Sequence, residues 1–489
     1  MPARIAAIIP CSRFSHGDTC NPVATFSIEN FGCRATEADA AALRHGLLAS
    51  GLKLVGDHSS ADLIVLNTCT VTAAADSQTR DAVRKIHRAN PTARIIVTGC
   101  YAQRAPEDIA ALDGVSWVIG NSHQTEIPKV ASELIGQTSA GIAFSAQAIE
   151  TDFVPVSLLA ADQMSLARGP AKILTGDIFA QSSVQIAPVT VAEGDRTRPV
   201  LKIQDGCNNR CAYCVIPFVR GRSRSLPPGI VIAEVRKLIA SGSREIVLSG
   251  INLGAYGRDL SPRAGLSDIV HRILEETPLE QLRLSSIEPQ DVTEELISLV
   301  ASSDRLAPHF HVPLQSGSDR ILRAMHRWYR ADHYAERVKR IRQFSPGAAI
   351  GADVIVGFPG ETAEDFQMTF ELIERLPFTY LHVFSFSARP GTEGANLAAP
   401  VSATVIRERA RTLRALAQRK SSEFRASQAG RSLRALTLAG GGDTWTPAMT
   451  ANYLKVRIPG RWAANQWHET SLSSGELSVA VPDAVSLQE

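Results

Sequence analysis

Residues 207–214 read Cys-Asn-Asn-Arg-Cys-Ala-Tyr-Cys, three thiols in eight residues with three and then two positions between them. A loop of that spacing places three thiolates on three corners of one [4Fe–4S] cube and leaves the fourth iron open to a small molecule. A structural zinc ion is the alternative. Such sites close with four protein ligands, and no fourth Cys or His lies within a few residues of this loop. Three further cysteines, Cys33, Cys69 and Cys100, are far apart in the chain, each just past an apolar run: ATFSIENFGC, ADLIVLNTC and ARIIVTGC. In an open α/β sheet the carboxyl ends of the strands are where ligands sit, so three strands deliver one thiol each to the same rim. Three ordinary core cysteines are the bland alternative. Their shared position, each in a loop expected to be exposed, favours a second cluster. Cys11 and Cys20 have no such placement, and residues 1–23 read as an extension without a structural role.

The elements that must position these thiols follow from hydrophobic periodicity. Between 24 and 136, buried-strand runs such as LIVL and IIV alternate with amphipathic helices, which predicts a doubly wound parallel sheet. The first helix is expected to be capped by Thr36 and stopped by Gly51. Residues 137–195 are rich in Ala, Ser, Gln and Thr and read as a linker with at most one short element. From 196 to 426 six strands are predicted, at 200–203, 245–249, 281–286, 309–313, 351–357 and 380–386, with helices between them. Six parallel βα units make a partial barrel whose site lies where the strands end. The 207–214 loop follows the first of them. Polar residues at later strand ends (Ser285, Ser286 and Glu288, Gln315 and Ser316, Asp353) describe a ring large enough for a nucleoside-sized cofactor, with Gly357 and Gly360 permitting close backbone approach. Singly, each reads as a helix cap.

Length and charge bound the rest. A chain of 489 residues exceeds one core. A net charge of +2 excludes a polycation and leaves nucleic-acid contact to local patches. No apolar run spans a bilayer, and the first twenty residues make a poor signal peptide, so no membrane association is expected. A large chain with clustered thiols fits a reducing cytoplasm and metal ligation rather than a disulfide framework. Arg220, Arg222 and Arg224 in PFVRGRSRS lie beside the expected site. Between 407 and 461 there are twelve Lys/Arg against three Asp/Glu. The second group leads into residues 427–489, where SLRALTLAGG and ANYLKVRIPG (with Lys455 and Arg457) suggest a small β-barrel, a common RNA platform.

These motifs resemble a known family. CNNRCAYC resembles the radical-SAM signature, in which the open iron chelates S-adenosylmethionine. FGC, NTCTVT and VTGC resemble the three auxiliary-cluster motifs of the methylthiotransferases. The chain from about 24 onward looks like that family throughout: an N-terminal domain with an auxiliary cluster, a radical-SAM partial (β/α)6 barrel, and a C-terminal TRAM domain, OB-like, that binds RNA. The resemblance implies two [4Fe–4S] clusters, held by Cys33, Cys69 and Cys100 and by Cys207, Cys211 and Cys214. It implies S-adenosylmethionine near Ser286, Glu288, Gln315 and Asp353, and phosphates near Arg220, Arg222, Arg224, Lys455 and Arg457. The partners implied are a tRNA anticodon loop, an electron donor such as flavodoxin or ferredoxin, and a source of replacement sulfur. NTCTVT, RGRSRS, GINLGAYG, LRLSSIEP and PLQSGSDRILRAMHRWY look most like the branch acting on threonylcarbamoyladenosine. The rival substrates are isopentenyladenosine in tRNA and an aspartate of a ribosomal protein; a non-catalytic iron–sulfur RNA-binding sensor is the rival of another class.

Overall fold

The computed structural model describes residues 23–140, 170–184 and 197–472. Cys11 and Cys20, most of the expected linker, and the end of the chain from residue 473 lie outside the described residues.

The first sheet holds β1 (Thr25–Asn30), β2 (Lys53–Leu54), β3 (Leu63–Thr68), β4 (Arg94–Gly99), β5 (Val115–Gly120) and β6 (Lys172–Leu174), in the order β2-β1-β3-β4-β5-β6 and parallel throughout. Its strands are apolar on both faces because both are covered. Ile64, Leu66, Ile95 and Val97 pack with Val83 and Ile86 of helix Ala73–Ala89 on one side. Leu63, Val65 and Ile96 pack with Leu43 and Leu47 of helix Arg34–Ala49 on the other. β6 comes from the stretch read as linker and extends the sheet at its edge. Thr36 is not the cap of its helix. The helix begins at Arg34 with Cys33 as the capping residue, and the Thr36 hydroxyl donates back to the Cys33 carbonyl at 2.7 Å.

β7 (Val200–Asp205), β9 (Glu245–Gly250), β10 (Gln281–Leu284), β11 (His309–His311), β12 (Ala349–Val356) and β13 (Tyr380–Ser385) form the second parallel system, with the two-residue β8 (Arg224–Ser225) antiparallel on the outer edge of β7. The bridges Leu282↔Leu306 and Ser286↔His311 join its two halves between β10 and β11. Alternation along each strand separates two environments. Leu201, Ile203, Ile246, Leu248, Leu282, Leu284, Phe310 and Ile350 face the helices. The intervening Lys202, Glu245, Arg283, His309, His311, Asp353, Tyr380 and His382 face inward. Their ion pairs and ring contacts run along this inner face. A closed (β/α)8 barrel fills its interior with branched apolar side chains; this one carries charge there.

Helix Arg34–Ala49 packs across β7 and β9, and helix Ala403–Ser427 across β12 and β13. The last unit is a curled antiparallel sheet, β14 (Ser432–Thr437), β15 (Trp445–Thr450), β16 (Lys455–Pro459) and β17 (Trp467–Ser471), in the order β16-β15-β14-β17. Ala435, Ala448, Val456 and Ile458 form its core together with Phe424. Its β15–β16 turn presents Tyr453, in left-handed backbone at φ 68°, to the lower end of the partial barrel.

Candidate active site

The 207–214 loop leaves the end of β7 and is tied down by its backbone. Cys207 N donates to Gly221 O at 3.1 Å, Cys214 N to Cys211 O at 3.0 Å, Ala212 N to Met325 O at 3.0 Å, and Gly394 N to Ala212 O at 2.6 Å. Burial pushes the Cys207 thiol up to about 11, and burial together with Cys211 pushes Cys214 up to about 12. A metal that takes them as thiolates must therefore displace protons. Arg327 Nη1 lies 3.3 Å from Cys211 Sγ and its other nitrogen pairs with Glu288, so one guanidinium bridges the thiol loop and a carboxylate. Burial raises Glu288 above the usual carboxylate range despite Arg327.

Cys33, Cys69 and Cys100 follow β1, β3 and β4, and β1 is the strand from which the sheet order runs both ways. That switch point opens a crevice at the strand ends. The three thiols act electrostatically on one another there; burial raises Cys69, with Cys33 and Cys100 adding to it. Burial also raises Cys100, and the Arg220 guanidinium opposes it. The loops were expected to be exposed, yet only Cys33 is; Cys69 and Cys100 are buried. The barrel covers them. Cys100 packs with Val215 and Val219, and Asn121 Nδ2 bridges Cys100 Sγ (3.5 Å) and Val219 O (2.8 Å). The segment leaving Cys214 thus lies on the second thiol set.

Neither set closes to single-ion spacing. Among the described residues the one trio of ligand atoms within 4.8 Å of one another is His311, Asp353 and His382. Thiols sharing one ion lie closer than thiols on separate irons of a cube, so both sets fit a cluster better than zinc.

Two buried ion networks dock the first domain beside its thiols. Asp39 pairs with Lys202 of β7 and with Arg220 Nη2 at 2.7 Å, and Asp205 completes the group at 2.9 Å from Lys202. Asp76 pairs with Arg104 at 2.7 Å and with Arg389, and Thr70, next to Cys69, joins both arginines. Arg220 is therefore no phosphate contact. It is 2% exposed and turned onto Asp39 and Asp205. Arg224 is likewise turned inward, onto the Ser183 and Arg220 carbonyls and Asp205. Arg222 alone of the three is exposed. Asp205 of the same barrel draws both of the others inward, with Asp39 of the first domain adding to Arg220 and the Ser183 carbonyl to Arg224.

The expected cofactor ring is partly assembled. Ser286 Oγ meets His311 Nδ1 at 2.6 Å, and His311 Nε2 faces Asp353 at 3.1 Å. Burial would raise Asp353, but His311, His382 and Arg327 together outweigh it and hold the carboxyl below its usual range. Gln315 contributes backbone: at φ 64° it accepts from Ile355 N (2.9 Å) and donates to Asp353 O (2.8 Å). Sequence reasoning passed over His311 and His382, hidden inside strand-like runs, and Arg327. It also missed Trp328, 79% exposed, flanked by Arg327 and Tyr329 in the chain; the aromatic pair Trp328-Tyr329 bracketed by Arg327 and Arg330 was its signal. On the end domain Arg457 stacks on Trp445 at 4.4 Å and Arg434 on Trp467 at 4.0 Å, while Lys455 begins β16.

Residues 25–120 match the uncharacterized protein family UPF0004, and residues 201–373 the radical SAM superfamily. The chain is 35% identical, over 89% of its length and 96% of the relative's, to a threonylcarbamoyladenosine tRNA methylthiotransferase MtaB of Aquifex aeolicus. It is 33% identical to the MtaB of Bacillus subtilis over 90% and 91%. A tRNA-2-methylthio-N(6)-dimethylallyladenosine synthase of Thermobifida fusca is 34% identical over 86% and 78%. In fold it resembles the radical S-adenosylmethionine methyltransferase TsrM of Kitasatospora setae, with a TM-score of 0.53, 16% identity, and coverage of 76% and 77%. Identity above one third along nearly the whole of a relative joins the two thiol sets to one lineage, and this chain belongs to the radical-SAM tRNA methylthiotransferase family.

Proposed function

We propose that this chain installs a methylthio group at carbon 2 of threonylcarbamoyladenosine beside the anticodon of tRNA. The observation that supports it most is the meeting of two three-thiol sites at a polar lumen, with residues 214–220 touching both. Adenine C2–H is an unactivated bond that no side-chain base deprotonates at neutral pH. When bound, the two clusters and S-adenosylmethionine supply the one-electron chemistry and the sulfur that side chains lack.

The chain's own residues bind and orient. Cys207, Cys211 and Cys214 hold one cluster at the barrel mouth, and Arg327 donates to the Cys211 sulfur while steering Glu288. Glu288, Arg327, Ser286 and the His311–Asp353 pair offer both charge signs to the amino and carboxylate ends of S-adenosylmethionine. Cys33, Cys69 and Cys100 hold the second cluster, with Arg220 as the positive charge beneath it. Trp328 and the Arg457–Trp445 and Arg434–Trp467 stacks suit a single-stranded anticodon loop, whose bases are splayed and read by stacking. A cytoplasmic location, a flavodoxin- or ferredoxin-type reductant and a separate sulfur source belong to the same reading. So does a division of the chain near residues 136, 196 and 427.

Nucleoside analysis of tRNA from a strain lacking the gene tests it. The 2-methylthio derivative of threonylcarbamoyladenosine should disappear and return on complementation. Its persistence sinks the substrate, and loss of the isopentenyl counterpart instead moves the chain to that branch.

A further inference from the structure

The lower end of the lumen holds more positive than negative charge. Arg283 pairs with Glu245 at 2.6 Å and spends its other nitrogens on the Thr450 and Ala451 carbonyls; Arg198 shares the same Glu245 at 3.5 Å. Arg34 is the third guanidinium. Among the described residues its side-chain hydrogen bond goes to the Tyr453 hydroxyl at 3.2 Å, and no carboxylate there stands at ion-pair distance from it. Glu37, one turn along its helix, acts on it only at longer range. Aromatic rings enclose the place: Tyr453 lies 4.3 Å from His309 and 5.3 Å from Tyr380, whose hydroxyl meets His309 Nε2 at 2.7 Å. Arg34 itself remains partly open to solvent.

Anchoring the end domain does not account for this arrangement. One phenol uses one of five guanidinium N–H groups, and Arg283 already grips the 450–454 turn through two carbonyls. A cation drawn into a partly closed, ring-lined site with no carboxylate among the described residues at ion-pair distance is costly unless an anion arrives. Position says which anion. Arg34 directly follows Cys33, one of the thiols of the second set. On an adenine ring C2 and N6 flank N1 along one edge, so a base whose C2 faces that thiol set brings its N6 substituent to the neighbouring residues. The threonylcarbamoyl group ends in a carboxylate; an isopentenyl group ends in methyls.

We propose that Arg34, backed by the Tyr453 hydroxyl, binds the carboxylate of the threonylcarbamoyl group and so selects a charged over an apolar N6 substituent. This rests on the substrate reading above and adds the residue that enforces it. A planar guanidinium facing a carboxylate gives paired, charge-assisted hydrogen bonds. A site built around such a pair rejects an analogue that cannot complete it.

The test uses the holoenzyme and two anticodon stem-loops, one carrying threonylcarbamoyladenosine and one its methyl ester, which has nearly the same shape without the charge. The wild-type protein should prefer the acid by about tenfold or more in kcat/KM, chiefly through KM. Arg34→Gln should bring the acid-to-ester ratio close to one, and Arg34→Lys should keep part of the preference. A folding defect lowers both substrates together and leaves the ratio readable. Should Arg34→Gln lose turnover, equilibrium binding of the two stem-loops to the holoenzyme reads the same ratio. If Arg34→Gln keeps the wild-type preference, the carboxylate is bound elsewhere and the assignment to Arg34 fails. If the wild-type protein treats acid and ester alike, there is no anion site, although the substrate reading stands. If it modifies an isopentenyladenosine stem-loop and neither of these, the substrate reading itself falls.

Discussion

Cys207, Cys211 and Cys214 arrive together on one loop, strapped by four backbone hydrogen bonds to Gly221, Met325 and Gly394 and within the loop itself. Cys33, Cys69 and Cys100 arrive from three strands and converge where the sheet order reverses. The first set is a property of a short segment that its barrel strand presents. The second exists only once a sheet has folded, and it is then sealed by another domain through Asp39, Lys202 and Arg220 on one side and Asp76 and Arg389 on the other. A local site tolerates distant disturbance; an assembled one depends on every element that delivers a ligand.

Thiol replacement separates the two most sharply. Cys207→Ala should abolish reductive cleavage of S-adenosylmethionine, whereas Cys33→Ala should leave 5′-deoxyadenosine formation in place while ending methylthio transfer. Each should remove about half of the bound iron. Unchanged iron in Cys33→Ala removes the second cluster and with it the comparison. Asp39→Ala leaves Lys202 and Arg220 short of one carboxylate in a buried network and should cost about 3–5 kcal/mol in denaturant unfolding. Its iron loss should fall on the second set first; equal loss from both would show that the loop depends on docking too.

Two glycines refine the contrast at smaller scale. Gly32 has φ +123°, and a Cβ there would meet Cys69 Cβ at 2.6 Å, so Gly32→Ala should cost about 1–3 kcal/mol and loosen the second set. A Cβ at Gly394 would meet the Ala212 carbonyl oxygen at 3.0 Å and Tyr213 Cα at 3.4 Å, a milder crowding, so Gly394→Ala should cost about 1 kcal/mol with the 207–214 iron retained. Iron counting on both variants checks the order. A larger loss in Gly394→Ala would reverse it.

Much of this was legible in the chain. All six parallel strands of the partial barrel fall within a few residues of the apolar runs that announce them, because strands covered on one face by helices must carry those residues. The inward-facing residues were not legible. HFHVP reads as a strand, but that its two histidines face Tyr380 and Asp353 depends on strands 40 and 70 residues later. β15 and β17 were missed, since TWTPAMT and WHETS carry little apolar alternation and are held by their neighbours in the sheet. Arg220 and Arg224 read as a basic patch because charge in a sequence has no visible partner, and Asp39 lies 181 residues away.

Spacing and type by themselves determined the two thiol sets, the α/β succession and the basic, aromatic end domain, since short-range patterns record which face a residue must bury. Tertiary structure alone decided that the second set is covered, that two of three arginines hold carboxylates, and that Arg34 meets a tyrosine some four hundred residues on in the chain. Those outcomes are electrostatic, and the energy of a charge depends on what surrounds it in space, which neighbours in sequence do not specify.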